Sequence, residues 1–151
     1  VQLTGFLPTV LETDAPVSES SLPLYSKRFL NILEAVGDVA YRSFSTQIED
    51  DVTGAGDDDY LLGRINEDFV LIQFPHLDIL DLEKSTYSSY DEELGTVTAL
   101  NEVVLKVPEI GLPPAFRLKA YSPYILVSAA AKTALEQAGI RGVRFALTPY
   151  S

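Results

Sequence analysis

FRLKAYSPYILVSAAAKTALEQAGIRGVRFALT, residues 116–148, carries the plainest local code in the chain. The apolar run Tyr124 to Val127 predicts a short strand, and Ser128 stands where a side-chain oxygen can accept from the first free amides of a helix. Ala129 to Ala138 supplies that helix. Ala131, Ala134, Leu135 and Ala138 recur at near-helical spacing, a narrow face that lets a helix lie close to a sheet. Gly139 ends it, since glycine takes the left-handed C-prime conformation at least cost. Val143, Phe145 and Leu147 then alternate with Arg144 and Thr148 as a half-buried strand would. The predicted unit is strand, helix, strand.

Working outward, the same code occurs earlier. LYSKRFLNILEAVG, from Leu24, lies over LVSAAAKTALEQAG, from Leu126, so that Leu24 meets Leu126, Ser26 meets Ser128, Leu33 meets Leu135, Glu34 meets Glu136 and Gly37 meets Gly139 without a gap. Val39, Tyr41 and Phe44 continue the first copy into a strand. Two origins account for the match: an internal duplication, or two amphipathic helices capped independently by the same residue types. Either gives an α+β fold, read here as a single domain over residues 1–151, with a mixed or antiparallel sheet and two main capped helices in a strand-helix-strand pseudo-repeat.

The remaining segments are strand-rich. QLTGFLPTVL reads as a strand that Pro8 confines to an edge or an end. Tyr60 to Ile65 and Phe69 to Phe74 are apolar runs parted by Asn66-Glu67-Asp68, a turn signal. Leu77 to Leu82 alternates less cleanly, and Thr96 to Val107 is a β-branched, apolar strand signal with Asn101-Glu102 as a turn inside it. Glu49 to Asp59, with six acids and two glycines, predicts an exposed loop or hairpin end. Pro108, Pro113 and Pro114 bracket Gly111 in a stiff connection.

Length and hydrophobic content, 151 residues and 46%, are ample for one core. With no cysteine, disulfides, thiolate zinc sites and cysteine nucleophiles are excluded, and a reducing cytoplasm fits, with the periplasm as the other option. The apolar runs fall short of the roughly 18 residues of a membrane span. The chain opens on Val1 and has no methionine, which reads as an N-terminal piece lost or left out, a signal peptide among the options. The net charge is −11, with 22 acids against 11 bases. That balance argues against nucleic acid and against an anionic membrane surface as partners. It suits either plain solubility or attraction to a basic protein.

Catalytic signals are thin. His76 is the only histidine, and no G-x-S-x-G elbow accompanies it. Gly54 and Gly56 lack the lysine and spacing of a phosphate loop. Asp57, Asp58 and Asp59 are consecutive and lack the alternating ligand spacing of a calcium loop, so no metal and no cofactor is expected. A pair of carboxylates for glycoside hydrolysis could be drawn from the many acids, but solvated turns and charge-guarded edges explain them far better.

LPPAFRLKAY, then ILVS, then the Ala-rich helix ending in EQAGIRGVRF, resembles the C-terminal signature of a bacterial immunity family, polymorphic-toxin immunity family eleven, formerly a domain of unknown function. LPLYSKRFLNILEAVG resembles that family's earlier segment. LDILDLEKSTY resembles its central motif, in which an aspartate precedes a serine by a few residues, here Asp81 and Ser85. The acidic loop and the Val107 to Pro114 stretch have no counterpart in the resemblance. It implies an antidote rather than an enzyme, one that binds a cognate protein toxin and blocks its active site or its access to a target. The alternatives are a binding module of a larger protein with no toxin partner, and a small carboxylate-dependent hydrolase. Oligomeric state is open.

If the partner is a basic protein, the most acidic stretches are the expected contact surface: Glu49, Asp50, Asp51, Asp57, Asp58 and Asp59 in one, Tyr87, Tyr90, Asp91, Glu92 and Glu93 in the other. The tyrosines suit recognition, because an aromatic ring offers area at low entropic cost. They equally suit a role as covers for the sheet.

Overall fold

The structure, a computed structural model, describes residues 1–51 and 64–147. The fold is α+β, with helices set among several small, mostly antiparallel sheets. It divides into two compact units. The first comprises the described residues of Val1–Ile32, Tyr41–Gln73 and Leu135–Val143, and the second those of Leu33–Ala40, Phe74–Ala134 and from Arg144 on.

In the first unit β1 (Gln2–Gly5) ends ahead of Pro8, which sits in the first turn of the short helix α1 (Leu7–Val10), where a missing N–H costs nothing. Then come β2 (Leu24–Ser26), α2 (Lys27–Val36), whose residues from Leu33 fall in the second unit, β3 (Arg42–Ser45), β4 (Gln47–Asp50), β5 (Ile65–Asn66) and β6 (Phe69–Gln73). One sheet runs β1-β4-β5, with β1 parallel to β4 and at its edge; the other runs β2-β6-β3, antiparallel throughout. Phe69, Val70, Leu71 and Ile72 are all buried, so central strand β6 is covered on both faces and its sequence is continuous rather than alternating. Leu7, Leu24, Ile48, Phe69 and Leu71 form one core cluster, flanked by Leu3, Val10, Leu11 and Leu22. Asn66 and Asp68 do make a turn, Asn66 Oδ1 accepting from the Asp68 N–H at 3.0 Å. It closes no hairpin, because β5 pairs with β4 while β6 pairs with β2 and β3.

The second unit contains β7 (His76–Leu77), β8 (Ser89–Asp91), β9 (Thr96–Thr98), β10 (Ala115–Leu118) and β11 (Ile125–Val127), and the start of helix α3 (Ala129–Gln137), whose residues from Leu135 fall in the first unit. β10 is central, antiparallel to β11 and parallel to β7, and β8 with β9 forms a separate antiparallel hairpin. Ile79, Leu80, Val97, Leu100, Val103, Leu105, Phe116, Leu118 and Ala120 make its core.

The two predicted caps are present and alike. Ser26 Oγ accepts from the Phe29 N–H at 3.1 Å, and Ser128 Oγ accepts from the Ala131 N–H at 3.2 Å. The helix ends differ. At α3 the Ile140 N–H donates to the Leu135 carbonyl and the Gly139 N–H to that of Glu136, with Gly139 at φ +63°, a Schellman motif. Gly37 instead donates to the Leu33 carbonyl in helical fashion, and its φ stays out of the positive region.

Several expectations fall short. Of Leu77 to Leu82 only Leu77 lies in a named strand, and of Thr96 to Val107 only Thr96–Thr98. The end of QLTGFLPTVL is helical, Glu49 and Asp50 belong to β4 rather than to a loop, and the closing strand of the second copy is missing. The first copy continues into a strand, β3, though this begins at Arg42, after Val39 and Tyr41; the second does not, since 141–147 form no strand. Here the backbone of Arg141 is taken up by Asp14: its carbonyl accepts from the Asp14 N–H at 3.0 Å, and its N–H donates to Asp14 Oδ2 at 2.9 Å. Gly142, at φ +80° and so close to Thr13 that a Cβ would overlap Oγ1, then turns the chain. Alternation at Val143, Phe145 and Leu147 finds no ladder to join.

Candidate partner-binding surface

The best-built part of the predicted acidic surface is the β8–β9 hairpin. Ser89 faces Thr98, Tyr90 faces Val97 and Asp91 faces Thr96, and the Ser89 and Thr98 hydroxyls meet at 2.6 Å. The tip is shaped by Asp91, whose Oδ1 accepts from the N–H groups of Glu93 at 2.9 Å and Leu94 at 3.0 Å. Its carbonyl accepts from Gly95, at φ +64°. Asp91 is thus a turn-former. Glu92 and Glu93 point their charge into solvent, between Tyr90 at 42% exposure and Leu94 at 71%.

Beneath, the hairpin is fastened to its unit. Val97 is buried and its N–H donates to the Ala120 carbonyl at 2.9 Å. Tyr87 is half-buried against the core, so it covers apolar surface rather than offering a free ring. The segment leading into β8 is held by Asp81 and Ser85. Asp81 Oδ1 accepts from the Glu83 N–H at 3.2 Å and the Lys84 N–H at 3.3 Å; Ser85 Oγ accepts from the Val104 N–H at 2.9 Å and donates to the Val104 carbonyl at 3.2 Å. This pair is a clamp between two chain segments. Beside the hairpin, Asp78, Leu80, Tyr90, Glu92, Leu94 and Lys119 line a shallow cleft, with Lys119 Nζ 3.6 Å from Asp78.

The other predicted stretch belongs to the first unit. Glu49 and Asp51 are exposed, whereas Asp50 is half-buried and its Oδ1 accepts from the Leu7 N–H at 2.9 Å, serving α1 where Phe6 supplies no side-chain cap. Asp57, Asp58 and Asp59 lie outside the described residues. Of the predicted contact residues the structure therefore brings Tyr90, Asp91, Glu92 and Glu93 together at one tip and gives Asp50, Asp91 and Tyr87 work inside the fold.

Sequence reasoning missed a dense polar cluster centred on Asp14, whose residue is 3% exposed. Ser26 Oγ donates to Asp14 Oδ1 at 2.7 Å while capping α2, and Arg28 and Arg141 approach Oδ2 at 3.8 and 3.7 Å. Arg28 also donates to the Ala138 carbonyl, and Arg141 Nη2 to that of Leu11 at 3.1 Å. Burial, the largest single influence, pushes the Asp14 pKa up. The Arg141 N–H, the Ser26 hydroxyl and the two guanidiniums together outweigh it and hold the carboxyl below its ordinary value. No local signal could have revealed partners so distant along the chain. Among the described residues no buried side-chain nitrogen or oxygen lacks a partner, and no three His, Cys, Asp or Glu side chains are placed to hold a metal. His76 is exposed on β7, opposite Arg117. No helix among them is long and apolar enough to cross a membrane.

No protein-family model matches the sequence. No curated protein matches it either.

Proposed function

We propose that the protein is a bacterial immunity protein, a non-enzymatic antidote that binds a cognate, basic toxin in the cytoplasm and neutralises it by occlusion. The observation that carries this reading is the β8–β9 tip. Glu92 and Glu93 are presented to solvent beside an exposed tyrosine and leucine, on a turn fixed by Asp91 and fastened at Val97, in a chain of net charge −11. A rigid acidic projection with apolar flanks is complementary to the basic cleft that a nuclease, for example, needs for its own substrate. The resemblance of the C-terminal stretch to an immunity family supports the same conclusion.

The test is to inspect the neighbouring reading frame for a toxin domain, which this proposal expects there, and to co-express the two. Protection should need roughly stoichiometric protein and should survive His76→Ala. Glu92→Gln with Glu93→Gln should slow association roughly 3- to 10-fold at low salt, since rim charges act mainly on the encounter rate. Protection at a small fraction of the toxin concentration would instead mean an enzyme, and absence of any complex would overturn the reading.

A further inference from the structure

The proline-bracketed stretch Val107–Pro114 takes no part in that hairpin, yet it is shaped with care. In the second unit the chain leaves the core at Leu105, which is buried and bridged to Leu80, and returns at Leu112, which packs on the same core ahead of buried Pro114 and Ala115. Between these anchors a turn closes, the Gly111 N–H donating to the Pro108 carbonyl at 2.8 Å with Gly111 at φ +88°. Ile110 stands at the apex, 96% exposed, with Val107 at 44% on the approach. Glu109 is the one charged residue from 107 to 114.

Single apolar residues scattered on a surface need no explanation. This one differs in its mounting: both ends of the segment are pinned to the core, Pro108 restricts the approach to the turn, and Pro113 and Pro114 stiffen the chain just past Leu112. A side chain so presented loses little freedom when it is buried by a partner, which is what makes an efficient anchor. The charge selects the occupant. At net −11 the chain is repelled by an anionic bilayer and by copies of itself, and Glu109 beside the apex favours a positive rim.

We propose that the Ile110 turn is a hydrophobic anchor that inserts into an apolar, basic-rimmed pocket on the protein partner, a second contact besides the acidic hairpin. It rests on the function proposed above. The experiment measures binding kinetics of the same neighbouring-frame toxin domain with the wild type, Ile110→Ser and Ile110→Leu. Ile110→Ser should raise Kd about 10- to 100-fold, mostly through faster dissociation, the fold-change that corresponds to losing one fully buried aliphatic side chain. Ile110→Leu should stay within about 3-fold. Wild-type affinity in Ile110→Ser overturns the anchor and leaves the function standing, whereas no binding by the wild type overturns both. Binding of the wild type to neutral phosphatidylcholine vesicles, lost in Ile110→Ser, would overturn the anchor in favour of lipid. The melting temperature of Ile110→Ser should be unchanged; a fall would make the apex part of the core and overturn the anchor as well.

Discussion

Asp14 is a buried carboxylate whose partners are a hydroxyl, a backbone N–H and two guanidiniums. The arginines are 49% and 56% exposed, so their ion pairs are screened and the two hydrogen bonds supply most of the stabilisation. Asp14→Asn should lower stability at pH 7 by roughly 1 to 3 kcal/mol, the usual cost of spoiling a buried charge-assisted hydrogen bond. Because the folded pKa is depressed, this contribution is complete above the unfolded carboxylate value of about 3.9 and is lost as pH falls through the folded value below it. Urea unfolding from pH 7 to pH 2.5 should show the wild type and Asp14→Asn converging at the acid end. A constant gap down to the lowest pH would mean that Asp14 does not titrate as this environment requires. Nothing in Thr13-Asp14-Ala15-Pro16 announces the role, which exists only once residues near 26 and 141 arrive.

At the scale of elements, the two caps are the part most legible in the sequence, because a serine, an apolar periodicity and a closing glycine are all local. Ser128→Ala should cost about 0.5 to 2 kcal/mol in chemical denaturation, the ordinary loss for an N-cap. Ser26→Ala should cost more, since the same hydroxyl both accepts from the Phe29 N–H and donates to Asp14. Equal losses would show that the bond to Asp14 adds nothing. The predicted strand at Val143 to Leu147 marks the limit of this logic. Alternation selects a face, but a strand also needs a neighbour with free backbone groups, and Asp14 had already drawn the preceding residues into a loop.

For the whole molecule, the charge of −11 is the property that acts at a distance. Association with a basic toxin should slow as salt rises, and the Glu92→Gln, Glu93→Gln pair should flatten that dependence, measurable by stopped flow between low and physiological ionic strength. Ile110→Ser should leave the salt slope alone and change dissociation, so the two contacts are separable by which rate responds. Composition alone determined this electrostatic character. Local sequence determined the α+β class, the start of both helices, the Schellman glycine and the end of β1 ahead of Pro8, because caps, glycines and prolines act over a few residues. Tertiary structure decided which acids are free. Asp50 and Asp91 are spent on the N–H groups of Leu7, Glu93 and Leu94 while Glu92 and Glu93 remain in solvent. It likewise decided that Tyr87 faces the core and that Asn66 to Asp68 turns between sheets. The physical reason is the same in each case: a carboxylate, a ring or a strand edge is used or left over according to which backbone and apolar groups from remote segments reach it, and that pairing is not encoded in neighbouring residues.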